Sequence, residues 1–290
     1  MGTTAQITLL EGSPALLADM VSRVHDLEAR WSRFDDRSEL SRLNASARNE
    51  PVAVSAETYR LISTSIAAWR HTAGRFDPSV LAAVVANGYD RTYDAIAQRR
   101  ARRVATPPAV PGCWGIELDE SDRTVTLPAG VRLDPGGIGK GLAADIVAEQ
   151  ALVDGAAGIL VDIGGDMRVA GIGPEDGSWI IDVEDPLQPG TVALHLAVND
   201  VGIATSSRLR RHWMIEDEHR HHLLDPTTGR PTATDIVAAT VISTSGWWSE
   251  ALTKALFVSG DLDIAPGVSA LLIHDDGRYT ASPDLLELMS

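Results

Sequence analysis

Apolar positions along this chain switch between helical and strand periods. Over residues 13–33, Leu16, Leu17, Met20, Val24, Leu27 and Trp31 recur every three or four residues and predict a helix, opened by Ser13 as cap and Pro14 in the first turn. A second helix is expected from Ser55, ahead of Leu61, Ile62 and Ile66, and it should stop before Gly74. Short β-branched runs predict strands at 4–10, 158–163, 179–183, 192–198, 237–243 and 268–274, with a hairpin over 116–127 turning at 119–123. The stretch VRLDPGGIGKGLAADIVAEQAL reads as a short strand, a glycine-rich turn and an amphipathic helix, and a last helix is expected over 248–258. Residues 91–112 are arginine-rich and then carry ATPPAVPG, so an exposed loop excursion is expected there. Helices and strands follow one another without a regular βαβ beat, which indicates an α+β fold. No linker interrupts the pattern, and residues 1–290 read as a single domain.

Charge and composition narrow the function. The 290 residues carry 25 Lys+Arg against 40 Asp+Glu, a formal charge of −15, which disfavours nucleic acid as a partner. The 44% hydrophobic and 22% charged fractions are those of a globular chain with a sizeable core. A single cysteine, Cys113, excludes an intramolecular disulfide framework and any multi-cysteine metal centre. No apolar run reaches membrane-span length, and MGTTAQITLL lacks the basic start and long apolar stretch of a secretion signal, so a cytoplasmic protein is expected.

Four segments carry candidate chemistry, each beside a plainer explanation. Asp134-Pro135-Gly136-Gly137-Ile138-Gly139-Lys140-Gly141 could present backbone amides, a helix start and one ammonium to a phosphate. It matches neither the dinucleotide fingerprint nor a Walker loop, and strand-to-helix turns also use glycine for purely conformational reasons. The glycines of Val161-Asp162-Ile163-Gly164-Gly165-Asp166 fit a turn as well as a ligand site. His219, His221 and His222 suggest zinc, but their spacing lacks a third or fourth ligand on one side of an extended segment. Glu250 and Lys254, four apart, share a helix face and would ordinarily form a surface ion pair.

Taken in order, these segments resemble the FAD:protein FMN transferase family, also called ApbE. Met1-Gly2-Thr3 is similar to its opening MGT, and Phe34 to Asn44 to its serine–glutamate segment. Phe76-Asp77-Pro78-Ser79-Val80 resembles its FDPT-V element, with Ser79 for threonine. Leu133 to Gly141 resembles L-D-x-GGIAKG, and Ile163-Gly164-Gly165-Asp166 resembles N-x-GGD. Ile203 to Ser207 is similar to A-T-SG, and His222 to Gly229 to H-I-[IL]-DP-x-TG, the likeness running to about residue 260.

The resemblance implies an α+β fold related to the T-fold, with mixed sheets flanked by helices and an FAD cleft between lobes. It implies a transferase that moves FMN from FAD to a threonine hydroxyl of a flavin-acceptor protein, releasing AMP; some members hydrolyse FAD instead. Met1, Ser38, Glu39, Asp77, Gly137, Lys140, Asp166, Ser206, His222 and Asp225 are the FAD-binding positions so implied, with His222 and Lys140 by the phosphates. The family's magnesium is held by a backbone carbonyl, here that of Gly139, and by Asp and Thr of D-A-L-[AS]-T-A. Those two positions hold Glu250 and Lys254 in this chain. A protonated lysine is no metal ligand, so the alternative expectation is an FAD-binding protein or weak FAD pyrophosphatase without the usual magnesium site, Lys254 standing in for the ion.

Overall fold

The computed structural model describes residues 2–46, 49–97, 106–216, 218–264 and 267–288. Its helices are α1 (Pro14–Trp31), α2 (Glu39–Ala45), α3 (Ala56–His71), α4 (Leu81–Ala86), α5 (Tyr93–Ala97), α6 (Gly139–Val153), α7 (Gly246–Ser259) and α8 (Pro283–Leu288). Every strand pair among the described residues is antiparallel, and helices and strands are segregated as an α+β fold requires. The chain folds into two compact units: residues 1–2, 27–137 and 208–233 form one, residues 3–26, 138–207 and 234–290 the other.

In the first unit, α2 and α3 pack on a small sheet of Val52–Ala53, Thr124–Thr126 and Glu117–Asp119. Leu40, Leu43, Ile62, Ile66, Val125 and Leu127 form that core. Helix α3 starts where Ser55 suggests, its hydroxyl accepting the Thr58 N–H at 3.2 Å. The predicted strand around Leu133 does not form. Instead the Asn44 side chain bonds both the N–H (2.7 Å) and the C=O (2.8 Å) of Leu133, which satisfies the backbone without a ladder. The loop expected over 91–112 is also corrected in part: Tyr93–Ala97 is helical, and Ile96 is buried beside Val84, Tyr89, Trp213 and Ile215. Residues 106–111, with the prolines, have no regular element, and 98–105 lie outside the described residues.

The second unit is built in three layers. Its centre is a seven-stranded sheet in the order Ala5–Leu10, Gly158–Ile163, Asp166–Gly171, Gly202–Ser207, Ile236–Ser243, Ser269–His274, Tyr279–Ala281. One face packs on the hairpin Trp179–Glu184/Val192–Val198, through Val169, Ile203, Trp179, Ile181, Leu194 and Leu196. The other face carries α6 and α7. Covered on both sides, Ile236–Ser243 is buried at all eight positions.

Helix α6 is not the amphipathic helix expected. Ten of its fifteen residues are buried, because α7 closes the side that would otherwise face water. The two helices approach so closely that a Cβ on Gly141 would stand 2.2 Å from the Gly246 carbonyl oxygen. Glycine at 141 thus sets the crossing, and the crossing assembles the site.

Candidate active site

Sheet alternation places the first acidic group. In Asp166–Gly171 the side chains of Asp166 and Arg168 point to the helical face, while Met167 and Val169 pack toward the hairpin. Asp166 opens its strand directly after the Gly164-Gly165 turn, both glycines having positive φ. In the neighbouring strand Ser206 faces α7, where its hydroxyl meets the Thr253 hydroxyl at 2.7 Å.

The starts of α6 and α7 supply the rest. The Lys140 ammonium, in the first turn of α6, is paired with both Asp166 and Glu250. Glu250 is fully buried on α7, and its second oxygen accepts the Gly141 N–H at 2.8 Å. Lys254, one turn further on, lies 3.5 Å from Glu250. In the reverse direction, Asp145 of α6 accepts the Gly246 and Trp247 N–H groups of α7 at 2.8 and 2.9 Å, with Arg168 behind it at 3.6 Å. Each helix thus caps the orphan amides of the other with a carboxylate, favourable also for the helix dipole.

Burial and charge act oppositely in this group. Burial alone would pull Lys140 down, but Asp166 and Glu250 outweigh it and hold the ammonium above the ordinary lysine range. Burial would raise Glu250, yet Lys140 and Lys254 keep its carboxylate below the usual range. Asp166 is raised by burial despite Lys140, and Lys254 is lowered by burial despite Glu250 and Asp166. Burial pushes Asp145 up to about 6.

The group therefore joins Lys140, Asp166, Glu250 and Lys254, four of the positions singled out in the sequence, with Ser206 linked through Thr253. Asp145, Arg168 and Thr253 were not among the expected site residues. A lone aspartate within the apolar run of α6 is the signal for Asp145; Arg168 is visible only through the strand register.

The resemblance puts magnesium at Gly139 and Glu250, and the donor set here does not fit it. Magnesium requires about six oxygens in octahedral array, some of them water. Both Glu250 oxygens are already bonded, and two ammonium groups face the carboxylate. Thr253 donates to the Glu250 carbonyl at 2.8 Å and so receives the Ser206 proton, leaving its hydroxyl engaged. Asp166 Oδ1 is the one carboxylate oxygen of the group without a hydrogen-bond partner, far short of a coordination shell. Among the described residues no grouping of three or more His, Cys, Asp or Glu has metal-binding geometry.

The remaining expected positions fall in the first unit. Ser38 caps α2, accepting the Ser41 N–H at 2.9 Å and donating to the Ser32 carbonyl at 2.6 Å. Glu39 bonds Arg30 at 2.8 Å and the Ser55 N–H and hydroxyl at 2.9 and 2.7 Å, so its carboxylate ties α1, α2 and the start of α3. Asp77 is buried and accepts from the Ser79 N–H and hydroxyl; burial raises its carboxyl. Asp134 pairs with Arg33 at 3.3 Å and accepts the Gly136 N–H, shaping the turn that leads to Gly137. Asp225 closes the turn between Leu224–Asp225 and Arg230–Pro231 by accepting from Thr227 and Thr228. His222 lies just before it, with Nδ1 3.2 Å from the Arg211 carbonyl. Met1 lies outside the described residues.

No helix among the described residues is long and apolar enough to cross a membrane. Comparison with known proteins agrees over nearly the whole chain. The FAD:protein FMN transferase of Treponema pallidum is 28% identical across 99% of this chain and 86% of its own length. That of Haemophilus influenzae is 28% identical across 97% and 87%. Among solved structures, the ApbE protein of Thermotoga maritima superposes with a TM-score of 0.85 at 27% identity, covering 100% of this chain and 96% of its own. The flavin transferase ApbE of Vibrio cholerae gives 0.84 at 26% identity, over 99% and 96%. The model of the ApbE family matches residues 1–268, and the chain belongs to that family.

Proposed function

We propose that this chain is an FAD:protein FMN transferase. The observation that carries the reading is its near full-length correspondence with relatives of that name. The Lys140–Asp166–Glu250–Lys254 group at the start of α6 is the chemistry suited to a pyrophosphate. A threonine hydroxyl of the acceptor protein attacks the phosphorus of the FMN half. A new P–O bond forms to threonine, the bridging P–O bond breaks, AMP leaves with the bridging oxygen, and the hydroxyl proton passes to a base or to water. Such a reaction is carried mainly by positioning and by charge on the phosphoryl oxygens. Lys140, held protonated by two carboxylates, supplies that charge beside the amides of the α6 start. The reading also places His222 by the phosphates, and Ser38, Glu39, Asp77, Gly137 and Asp225 along FAD.

A second reading, FAD binding without turnover, is favoured by one feature: both Glu250 oxygens already accept hydrogen bonds, and two ammonium groups crowd the carboxylate that would hold a divalent ion. One assay separates the two. The purified chain is incubated with FAD and a carrier protein bearing an exposed threonine, then run on a denaturing gel and a nucleotide column. The transferase reading expects a fluorescent carrier band and AMP in equal amount. Bound FAD recovered intact, with neither band nor AMP, would establish the binder.

A further inference from the structure

Glu250 is fully buried, and its two oxygens are divided between the Gly141 N–H and two ammonium groups, while Asp166 binds Lys140 from the sheet side. Two ammoniums and two carboxylates sum to zero formal charge, so the group is balanced as it stands. A divalent ion entering here would compete with the Gly141 N–H and two ammonium groups for the Glu250 oxygens and would face two like charges in a poorly screened interior. Lys254 keeps 17% of its side chain exposed and Lys140 15%, whereas Glu250 is inaccessible. An arriving anion therefore meets ammonium before carboxylate.

We propose that Lys254 is the built-in cation of this site: with Lys140 it excludes magnesium, and the two ammonium groups receive the pyrophosphate of FAD without a divalent ion. The substrate half of this statement rests on the transferase reading; the exclusion of metal does not. Lysine brings one charge and three donors on a flexible stem; the two lysines carry the formal charge of magnesium, offset here by Glu250 and Asp166, and lack its octahedral rigidity. What remains is direct ammonium hydrogen bonding to the phosphoryl oxygens from a pair of partly exposed side chains anchored by Glu250 and Asp166.

Two titrations test it. MgCl2 and MnCl2 are titrated calorimetrically into the unmodified chain and into Lys254→Thr, without FAD. FAD binding is then followed by flavin fluorescence in EDTA and in excess magnesium. The unmodified chain should show no stoichiometric metal binding, and its FAD affinity should be the same in both buffers. Lys254→Thr should gain metal binding, lose FAD affinity in EDTA by about tenfold or more, as expected for removing a charge-assisted hydrogen bond, and recover it with magnesium. Lys254→Arg, which keeps the charge, should stay chelator-resistant and shows that position 254 tolerates change. Stoichiometric magnesium binding by the unmodified chain, or a tenfold loss of its FAD affinity in EDTA, would overturn the proposal. Absence of FAD binding in every arm would instead overturn the transferase reading, with the metal titration still deciding the exclusion.

Discussion

The Glu250 carboxylate of α7 accepts the Gly141 N–H of α6 at 2.8 Å, at the point where the two helices have no room for a Cβ between them. One residue therefore caps a helix, anchors two lysines and sets where their charge is presented. Asp145 returns the bond to α7. The fold and the chemistry of this site are consequently hard to separate, and substitutions on either side of this bond distinguish them.

Gly141→Ala places a methyl 2.2 Å from the Gly246 carbonyl oxygen and 2.8 Å from the Trp247 nitrogen, against the backbone at the start of α7. The helices must part, at a cost of about 1–3 kcal/mol or more. Urea unfolding should show a lower midpoint, and the variant should hold FAD more weakly than an equally destabilised substitution elsewhere.

Glu250→Gln removes the shared anion of a buried pair and leaves Lys140 and Lys254 facing each other. A loss of about 3–5 kcal/mol is expected at pH 7, because an uncompensated buried charge remains. Adding Lys254→Met should recover part of it in a double-mutant cycle. Additive losses would show that Glu250 and Lys254 are not coupled.

Asp145 gives a pH signature. Its folded pKa, about 6, lies above the ordinary 3.8, so the folded chain holds the proton more tightly than the unfolded chain. Its contribution is then most favourable below about pH 4 and falls as pH rises through about 6, by roughly 3 kcal/mol in all. Asp145→Asn should remove this component. The difference in unfolding free energy between the two chains, measured from pH 4 to 7, should change with that sign and flatten above it.

His221 behaves oppositely. Burial lowers its pKa to about 4, and its Nδ1 has no hydrogen-bond partner. Its folded form resists the proton, so stability from this residue is present above about 6.5 and is lost as pH falls toward 4. Proton NMR should show the His221 ring neutral at pH 6.

Much of this architecture was legible because local pattern and tertiary context agree. The strands Gly158–Ile163 and Val192–Val198 carry their own periodicity, and Ser55 marks the start of α3 by a capping bond within three residues. Where a distant partner decides the outcome, the pattern misleads. Leu133 looks like strand, but Asn44, 89 residues away, takes both its backbone groups. The α6 sequence resembles an amphipathic helix until α7 covers its polar-looking side. The motifs pointed to Lys140, Asp166, Glu250 and Lys254, and the structure brings these four together. The reciprocal caps were not legible, since Asp145 and Gly246 lie 101 residues apart.

The most direct measurement is AMP formed from FAD by the purified chain with a threonine-bearing acceptor, quantified by chromatography in magnesium and in EDTA. AMP is expected in both buffers, matched by flavin covalently attached to the acceptor, and should be lost in a Lys140→Ala variant that remains folded. No AMP in either buffer would contradict the transferase reading, and AMP in magnesium alone would contradict the role given to Lys254.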